Sequence, residues 1–370
     1  MRILVVNAGS SSLKLSVLEA GDELAGHAEL PVSRGQFDPG AVAGVLADLG
    51  ASQAGAVGHR VVHGGRQFTG PVLIDTAVRK KLDDLVDLAP LHQPKSLAGI
   101  DAVSRVLPGV PAVACFDTAF HAGMPAAAAT YALPPEWRKR WELRRYGFHG
   151  LSHAYATRRA GELLGHLPHR LVVCHLGSGA SLAAVHDGRS VDTTMGFTPL
   201  EGLVMATRSG TVDPGLVLWL ADHAGTPPAE LSAALEYRSG LLGLAGTADM
   251  RAVRARAGEG DGAARLALDV YLHRLRGGVA SMAAAMNGVD TVVFTGGVGE
   301  NSGDIRQGAA DGLGFLGVRV DAGRNAAARG DTDITAAGSA VRVLVVAARE
   351  DIEVARQVRS VLEAGGSPSP

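Results

Sequence analysis

One short pattern occurs twice in this chain, and the repetition restricts the possible folds more than any other feature. Residues Arg2–Val17 read RILVVNAGSSSLKLSV, and residues Arg170–Val185 read RLVVCHLGSGASLAAV. With Gly9 set on Gly177, Arg2 falls on Arg170, Val5 on Val173, Ser10 on Ser178 and Val17 on Val185. In each copy an apolar run of strand composition meets a Gly/Ser turn and continues into a second run, which is the pattern of a hairpin. Such a turn exposes several backbone N–H groups with hydroxyls beside them, a combination that suits an anion such as phosphate. A duplicated phosphate-holding hairpin points to two similar lobes with a nucleotide between them. The plainer alternative is two ordinary hairpins of similar composition.

The chain has 370 residues, enough for two α/β domains with full cores. Its net charge is −2 and its basic residues are scattered, which argues against a nucleic-acid surface and for a small anion held locally. Cys115 and Cys174 each sit inside an apolar run. They read as small buried hydrophobes in a reducing compartment, with no disulfide framework. The N-terminus enters a strand directly, without the basic and apolar regions of a signal peptide, and no apolar run reaches membrane-spanning length. The expectation is a cytoplasmic protein with no membrane partner.

Several stretches carry chemistry-bearing residues. Gly21 to Ser52 shows no clear pattern, but AVGHRVVHGG (Ala56–Gly65) reads as a short strand ending in paired glycines. Alternation puts Arg60 and Val62 on one side of it, with Val61 and His63 on the other. An arginine among apolar strand neighbours is costly unless it meets an anion. A bound ligand and a carboxylate of the fold both satisfy that need. Apolar spacing predicts helices over Thr76–Leu88 and from Leu97 to Val106. A buried strand from Val110 to Phe116 follows, with Asp117 at its carboxyl end, where ligands sit in open α/β sheets. That position suits a helix cap or a catalytic carboxylate. His149 and His153 are four apart, on one face if helical, but without HExxH or a cysteine cluster a zinc site is disfavoured.

Asp192–Gly210 (DTTMGFTPLEGLVMATRSG) reads as a long ordered loop delivering Arg208, and Asp213-Pro214 as the cap and first residue of a helix. Ala263–Met286 reads as a mostly apolar core helix. DTVVFTGGVGEN (Asp290–Asn301) is a strand running into a glycine-rich turn, and Glu350-Asp351 follow the last strand. Acids there serve as helix-dipole partners or as Mg²⁺ ligands. The chain has no Walker A motif, no protein-kinase motif set, no nucleophile elbow and no G-x-G-x-x-G following a strand. Donor-rich turns, isolated cations and acids at strand ends are the parts that phosphoryl transfer requires.

Taken together these motifs resemble the acetate kinase family over nearly the whole chain. The resemblance rests on VVNAGSSSLK (Val5–Lys14), GHRVVHGG (Gly58–Gly65), FDTAFH (Phe116–His121) and RRYGFHGLSH (Arg144–His153). It continues through HLGSGAS, the loop ending in TRSG, FTGGVGEN and the final acidic pair. It implies an α/β fold of two ribonuclease-H-like lobes of duplicated topology with a nucleotide cleft between them, as in sugar kinases, Hsp70 and actin. The implied lobes are residues 1–147 plus 352–370, and residues 148–351. The implied reaction is reversible, direct in-line transfer of the ATP γ-phosphoryl group to acetate, giving acetyl phosphate and ADP. Mg²⁺ would serve as the metal, with Mn²⁺ as an alternative, in a homodimer.

The resemblance also implies roles by position. Asn7 and Glu350 would hold the metal, and Lys14 would lie near the nucleotide phosphates. Arg60 would act in catalysis, pairing with the carboxylate or the moving phosphoryl group, and with Val62, Leu91, Phe148 and Pro199 it would form the substrate site. Asp117 would orient substrate or metal, and His149 and Arg208 would stabilise transition-state charge. His175, Leu176, Gly177, Ser178 and Gly179 would contact the phosphates. Asp249, Met250 and Arg251, with Gly297, Val298, Gly299, Glu300 and Asn301, would hold the nucleotide. The chain departs from the family pattern at Ser178, where asparagine is typical, and at Gln93, Thr211 and Asp351. Two other readings share the motifs: a propionate or other short-chain carboxylate kinase, and a nucleotide-driven conformational switch that hydrolyses ATP without a carboxylate.

Overall fold

A computed structural model describes residues 1–9, 12–31, 37–90 and 92–365. The chain divides into two units, one of residues 1–122, 148–155 and 349–370, the other of residues 123–147 and 156–348.

In the first unit, β1 (Ile3–Ala8), β2 (Ser12–Leu18), β3 (Leu24–Pro31), β4 (Ala56–Val61), β5 (Val72–Leu73) and β6 (Ala112–Phe116) form one sheet in the order β3-β2-β1-β4-β6-β5. The first three strands are an antiparallel meander, and β4 and β6 run parallel to β1. In the second unit, β7 (Arg170–Leu176), β8 (Ala180–His186), β9 (Arg189–Thr193), β10 (Thr291–Thr295), β11 (Thr332–Asp333) and β12 (Arg342–Val345) form a sheet in the order β11-β12-β10-β7-β8-β9. Counted from its own first strand, each sheet has the same order, 3-2-1-4-6-5. The duplication extends to the fifth strand, a two-residue antiparallel edge in both units. The expected α/β fold with duplicated topology is the fold observed.

The parallel strands are buried on both faces, which is why they read as continuous apolar runs rather than as alternation. On one face of the first sheet, Leu4, Val6, Ala8, Leu13 and Val57 pack with Val42 and Leu46 of the helix Pro39–Asp48 and with Ala102 and Val103 of the helix Gln93–Val106. On the other, Ile3, Val5, Ala56, Val113 and Cys115 pack with Val354, Ala355 and Val358 of the helix Glu350–Gly365. Burying a residue of this size stabilises by about 1.5–3 kcal/mol, so both covering helices are held by several such contacts. Gly58 lets the last helix lie close, because a Cβ there would sit 2.4 Å from a Val354 methyl group.

Several elements differ from the sequence reading. Gly21–Ser52 contains β3 and the Pro39–Asp48 helix, capped by Asp38 accepting from Gly40 and Ala41 N–H. The strand lies at an edge and the helix is built from Ala, Gly and Val, so neither shows a contrasting apolar stripe. The helix expected over Thr76–Leu88 ends at Asp83, and Val86–Leu88 form a separate 3-10 turn. The Gly262–Ala285 helix buries one stripe, including Ala264, Ala267, Tyr271, Leu275 and Val279, while Leu266 is exposed. The glycine-rich turn after β10 is a short helix, Gly296–Asn301. Asp213 caps the helix Pro214–Asp222 through Gly215 N–H, as its sequence predicts.

Candidate active site

In the first unit, strand register gathers four polar residues at one end of the sheet. Asn7 on β1 is the register partner of Arg60 on β4, and Arg60 is that of Cys115 on β6. Register partners share a face, and the two-residue period adds Asp117 to it. The same face is covered by the Glu350–Gly365 helix, whose first residue is Glu350. There the Arg60 guanidinium donates from Nε to Asp117 Oδ1 at 3.1 Å, from Nη2 to Asp117 Oδ2 at 2.6 Å and from Nη1 to Asn7 Oδ1 at 3.0 Å. Glu350 Oε2 lies 3.7 Å from its Nε. Asp117 is 1% exposed. Burial pulls the Arg60 pKa down, but Asp117 and Glu350 more than offset this and hold it above the ordinary arginine value. Lys14 stands opposite Asn7 on β2, exposed, on the same face.

The segment after Gly147 closes onto Asp117. His149 has a left-handed backbone, φ +57°, and its carbonyl accepts from His153 N–H at 2.9 Å. It therefore precedes the helix Gly150–Leu164, and the two histidines do not share a helical face as their spacing suggested. A non-glycine residue held in this conformation costs about 1–3 kcal/mol, so the surroundings must impose it. The next residue shows how: Gly150 N–H donates to the Asp117 carbonyl at 2.9 Å.

Phe148 and Val62, both expected to line a substrate site, are buried in this unit. The Phe148 carbonyl bonds to His121 Nε2 at 3.1 Å, and its ring meets His63 edge-on at 5.6 Å. Burial lowers the pKa of both histidines to about 4, against the Phe148 carbonyl bond in the case of His121. Gln93, one of the departures from the family pattern, is buried and exchanges hydrogen bonds with the His63 backbone at 3.3 and 3.2 Å. Leu91 lies outside the described residues.

In the second unit a cavity of about 580 Å³ opens between the β7–β8 turn, the start of the helix Met250–Gly258 and the helix Gly296–Asn301. Gly177, Ser178, Asp249, Met250, Arg251, Gly297, Val298 and Asn301 line it. Ala206, Leu241, Ala248, Arg254, Tyr271 and Ser302 also line it and were missed from sequence. Arg254 carried one usable signal, since it follows Arg251 by three residues and shares its helical face. Tyr271 carried none, lying in the buried stripe of a long helix. The remaining candidates flank this wall. His175 pairs in register with Thr295, Gly179 closes the turn by accepting from Gly177 N–H at 3.0 Å, and Leu176 and Gly299 are buried. Glu300 accepts from Ala348 N–H at 3.0 Å. The Asp249 carboxylate caps its helix and forms an exposed pair with Arg251.

Arg208 is carried by the loop after β9. Its Nε donates to Glu236 Oε2 at 2.8 Å, and both side chains are largely buried. Met205 N–H bonds to the Arg208 carbonyl, and Ser239 N–H to that of Thr207, so the backbone around it is fixed. Pro199 lies in the same loop, its carbonyl 3.5 Å from Arg208 Nη1.

Among the described residues, one group of side chains has metal-ligand chemistry outside these clusters: His169, just before β7, with His186 and Asp187 at the β8–β9 turn. The His169 Nδ1 contact at 2.5 Å holds the Asp187 carboxyl below its usual range, so hydrogen bonding already accounts for this exposed arrangement. Among the described residues no helix is long and apolar enough to cross a membrane.

Comparison with known proteins agrees with the fold. The sequence profile of the acetokinase family matches residues 46–356. The acetate kinase of Deinococcus deserti is 46% identical over 396 residues, covering 98% of each chain. The crystal structure of Porphyromonas gingivalis acetate kinase superposes with a TM-score of 0.90 at 36% identity, covering 98% of this chain and 99% of the other. That of a propionate kinase from Francisella tularensis gives 0.90 at 36% identity, covering 96% and 98%.

Proposed function

The chain belongs to the acetokinase family, and from that premise we propose that it transfers the γ-phosphoryl group of ATP reversibly to acetate. A carboxylate oxygen bonds to the γ-phosphorus as the bond to the β-phosphate oxygen breaks, giving acetyl phosphate and ADP. The attacking carboxylate is already ionised at neutral pH, so no base has to remove a proton. What the reaction needs is offset of the repulsion between two anions.

The observation that carries this reading is the Arg60 cluster. A guanidinium at the carboxyl end of a parallel strand is held two-pronged by Asp117 and supported by Asn7 and Glu350. That arrangement fixes a planar cation of the kind that pairs with carboxylates and phosphates. We assign Arg60 to the acceptor carboxylate, Asp117 to orienting Arg60, and His149 and Arg208 to the charge on the transferring group. Val62, Phe148, Leu91 and Pro199 are assigned to the substrate's apolar end. The cavity lined by Gly177, Asp249 and Gly297 is assigned to the nucleotide, with Lys14 near its phosphates.

The donor set fits a hard divalent cation. Asn7, Asp117 and Glu350 present amide and carboxylate oxygens around a positive charge, here that of Arg60, and Mg²⁺ takes such ligands. Asn7 and Glu350 would hold Mg²⁺ or Mn²⁺, which supplies charge neutralisation on the ATP phosphates when bound. We further propose a cytoplasmic homodimer. The helix Pro214–Asp222 buries none of its residues and exposes Leu216, Leu218 and Trp219, an apolar face suited to a second copy. Trp219→Glu should then yield monomers in light scattering.

The test is hydroxylamine trapping of acyl phosphate from Mg-ATP with formate, acetate, propionate and butyrate in parallel. Acetate should be best and propionate usable, because one methylene discriminates by only about 1–3 kcal/mol. A maximum at propionate would move the substrate and keep the mechanism. ATP hydrolysis without trapped product would replace transfer by the nucleotide-switch reading.

A further inference from the structure

The helix Gly296–Asn301, GGVGEN, supplies one wall of the cavity through Gly297, Val298 and Asn301. It is poorly suited to being a helix. Six residues barely exceed one turn, and three of them are glycine, each of which weakens a helix relative to alanine. Glycine lets a ligand approach the backbone closely, but something else must then keep that backbone in place.

Arg306 does this from behind the wall. Its side chain is 1% exposed and does not line the cavity. Nη1 donates to the carbonyls of Gly299 and Glu300 at 2.7 and 2.8 Å, which are carbonyls in the last turn of that helix. Nε donates to Asn325 Oδ1 and Nη2 to the Asn325 carbonyl, both at 2.8 Å. Asn325 is itself buried and donates from Nδ2 to Gly303 O at 2.7 Å. All four side-chain hydrogen bonds of Arg306 go to amide oxygens, so its burial is not offset by a hydrogen-bonded carboxylate. A buried cation bonded to last-turn carbonyls acts as a C-terminal cap built from the core. Glu300 adds a second tie through Ala348 N–H.

We infer that Arg306 is a positioning residue for nucleotide binding: it holds the glycine-rich wall in its ligand-ready shape without touching the ligand. The inference rests on the assignment of this cavity to ATP and ADP. It separates nucleotide affinity from acceptor affinity, because the helix that Arg306 braces carries the cavity residues Gly297, Val298 and Asn301 and none of the residues assigned to the acceptor.

The experiment compares wild type, Arg306→Lys, Arg306→Met and Val279→Ala, the last a buried change in the Gly262–Ala285 helix outside the machinery. ADP affinity is read by calorimetry, melting temperature by scanning, and KM for ATP and acetate by trapping. Lysine keeps the charge but cannot reach four acceptors, so Arg306→Lys should weaken ADP by about tenfold, the scale of one hydrogen bond to a charged group. The KM for ATP should rise in proportion, with the KM for acetate within about twofold. Val279→Ala, matched in melting temperature, should leave ADP binding unchanged. Wild-type ADP affinity in Arg306→Lys, or equal loss in Val279→Ala, would overturn the inference. If Arg306→Met does not fold, Asn325→Ala removes one acceptor and should weaken ADP in the same direction. Wild type that binds ADP but forms no acyl phosphate overturns the transfer reading and leaves Arg306 standing. Wild type that does not bind ADP overturns both.

Discussion

Arg60 and Asp117 form a two-pronged ion pair across adjacent parallel strands, with Nε and Nη2 on the two carboxylate oxygens at 3.1 and 2.6 Å. The carboxylate is buried and the guanidinium retains 18% exposure. The pair therefore has a closed end, where Asp117 sets geometry, and an open end that remains available to an anion. Asp117→Asn keeps the shape and removes the charge. It should lower kcat by about 10²–10³-fold, the scale of losing a preorganised electrostatic contact, and destabilise the fold by about 3–5 kcal/mol as half of a buried pair. A double-mutant cycle with Arg60→Gln that proves additive would show that the two do not act as a unit.

Arg208 is held by Glu236 at 2.8 Å. Arg208→Ala should reduce kcat by about 10³-fold or more, as for other arginines acting on a transferring phosphoryl group, with little change in ATP affinity. Equal losses in kcat and ATP binding would reject the transition-state assignment. Glu236→Gln leaves the cation but loosens its aim, so it should affect the same parameter to a smaller degree.

Gly150 sits where a side chain has no room, since a Cβ would lie 2.1 Å from the Asp117 carbonyl oxygen. Gly150→Ala should push the Asp117 backbone away from Arg60 and reduce turnover even though alanine favours helix. Activity within about twofold of wild type would show that the strand end yields freely rather than transmitting the displacement.

Three histidines of the first unit are buried with depressed pKa values, His59 to about 3 and His63 and His121 to about 4, burial being the largest cause in each. Asp101 opposes the shift at His59. The unfolded chain binds protons at these groups from about pH 6.5 downward while the folded chain does not. Stability is therefore full above pH 6.5 and falls as the pH drops toward 4, by about 1.4 kcal/mol per pH unit for each histidine. Denaturant titrations between pH 7 and 4.5 should show this slope, and His59→Gln should reduce it by one histidine's share.

The parts of the molecule that were legible in the sequence are those specified by neighbours along the chain. The two hairpins were visible because strand runs and turn residues are contiguous, and Asp213-Pro214 because a cap is a local device. Arg60, Asp117 and Glu350 were recognisable one by one, as polar residues on or just after strands, and Asn7 only through the family resemblance. Their convergence was not, because it depends on the pairing of Asn7 with Arg60 and on which face the last helix covers. The left-handed backbone of His149 left no trace in its spacing to His153. Tyr271 and Arg306 were invisible for a related reason: each reads locally as an ordinary helix position, and what it does depends on which segments the fold brings against it. The Pro39–Asp48 helix was missed because alanine and glycine give a helix little contrast between faces.

The two-residue edge strands β5 and β11 offer almost nothing for another chain to pair with, so each sheet is protected on that side by brevity. The opposite edge of the first sheet is different. β3 runs eight residues, Leu24–Pro31, alternating exposed and half-buried. It is long enough for a further strand to pair along it. Glu29, anchored to Ser12, and Pro31, which has no N–H to donate, are the residues that stand against that outcome.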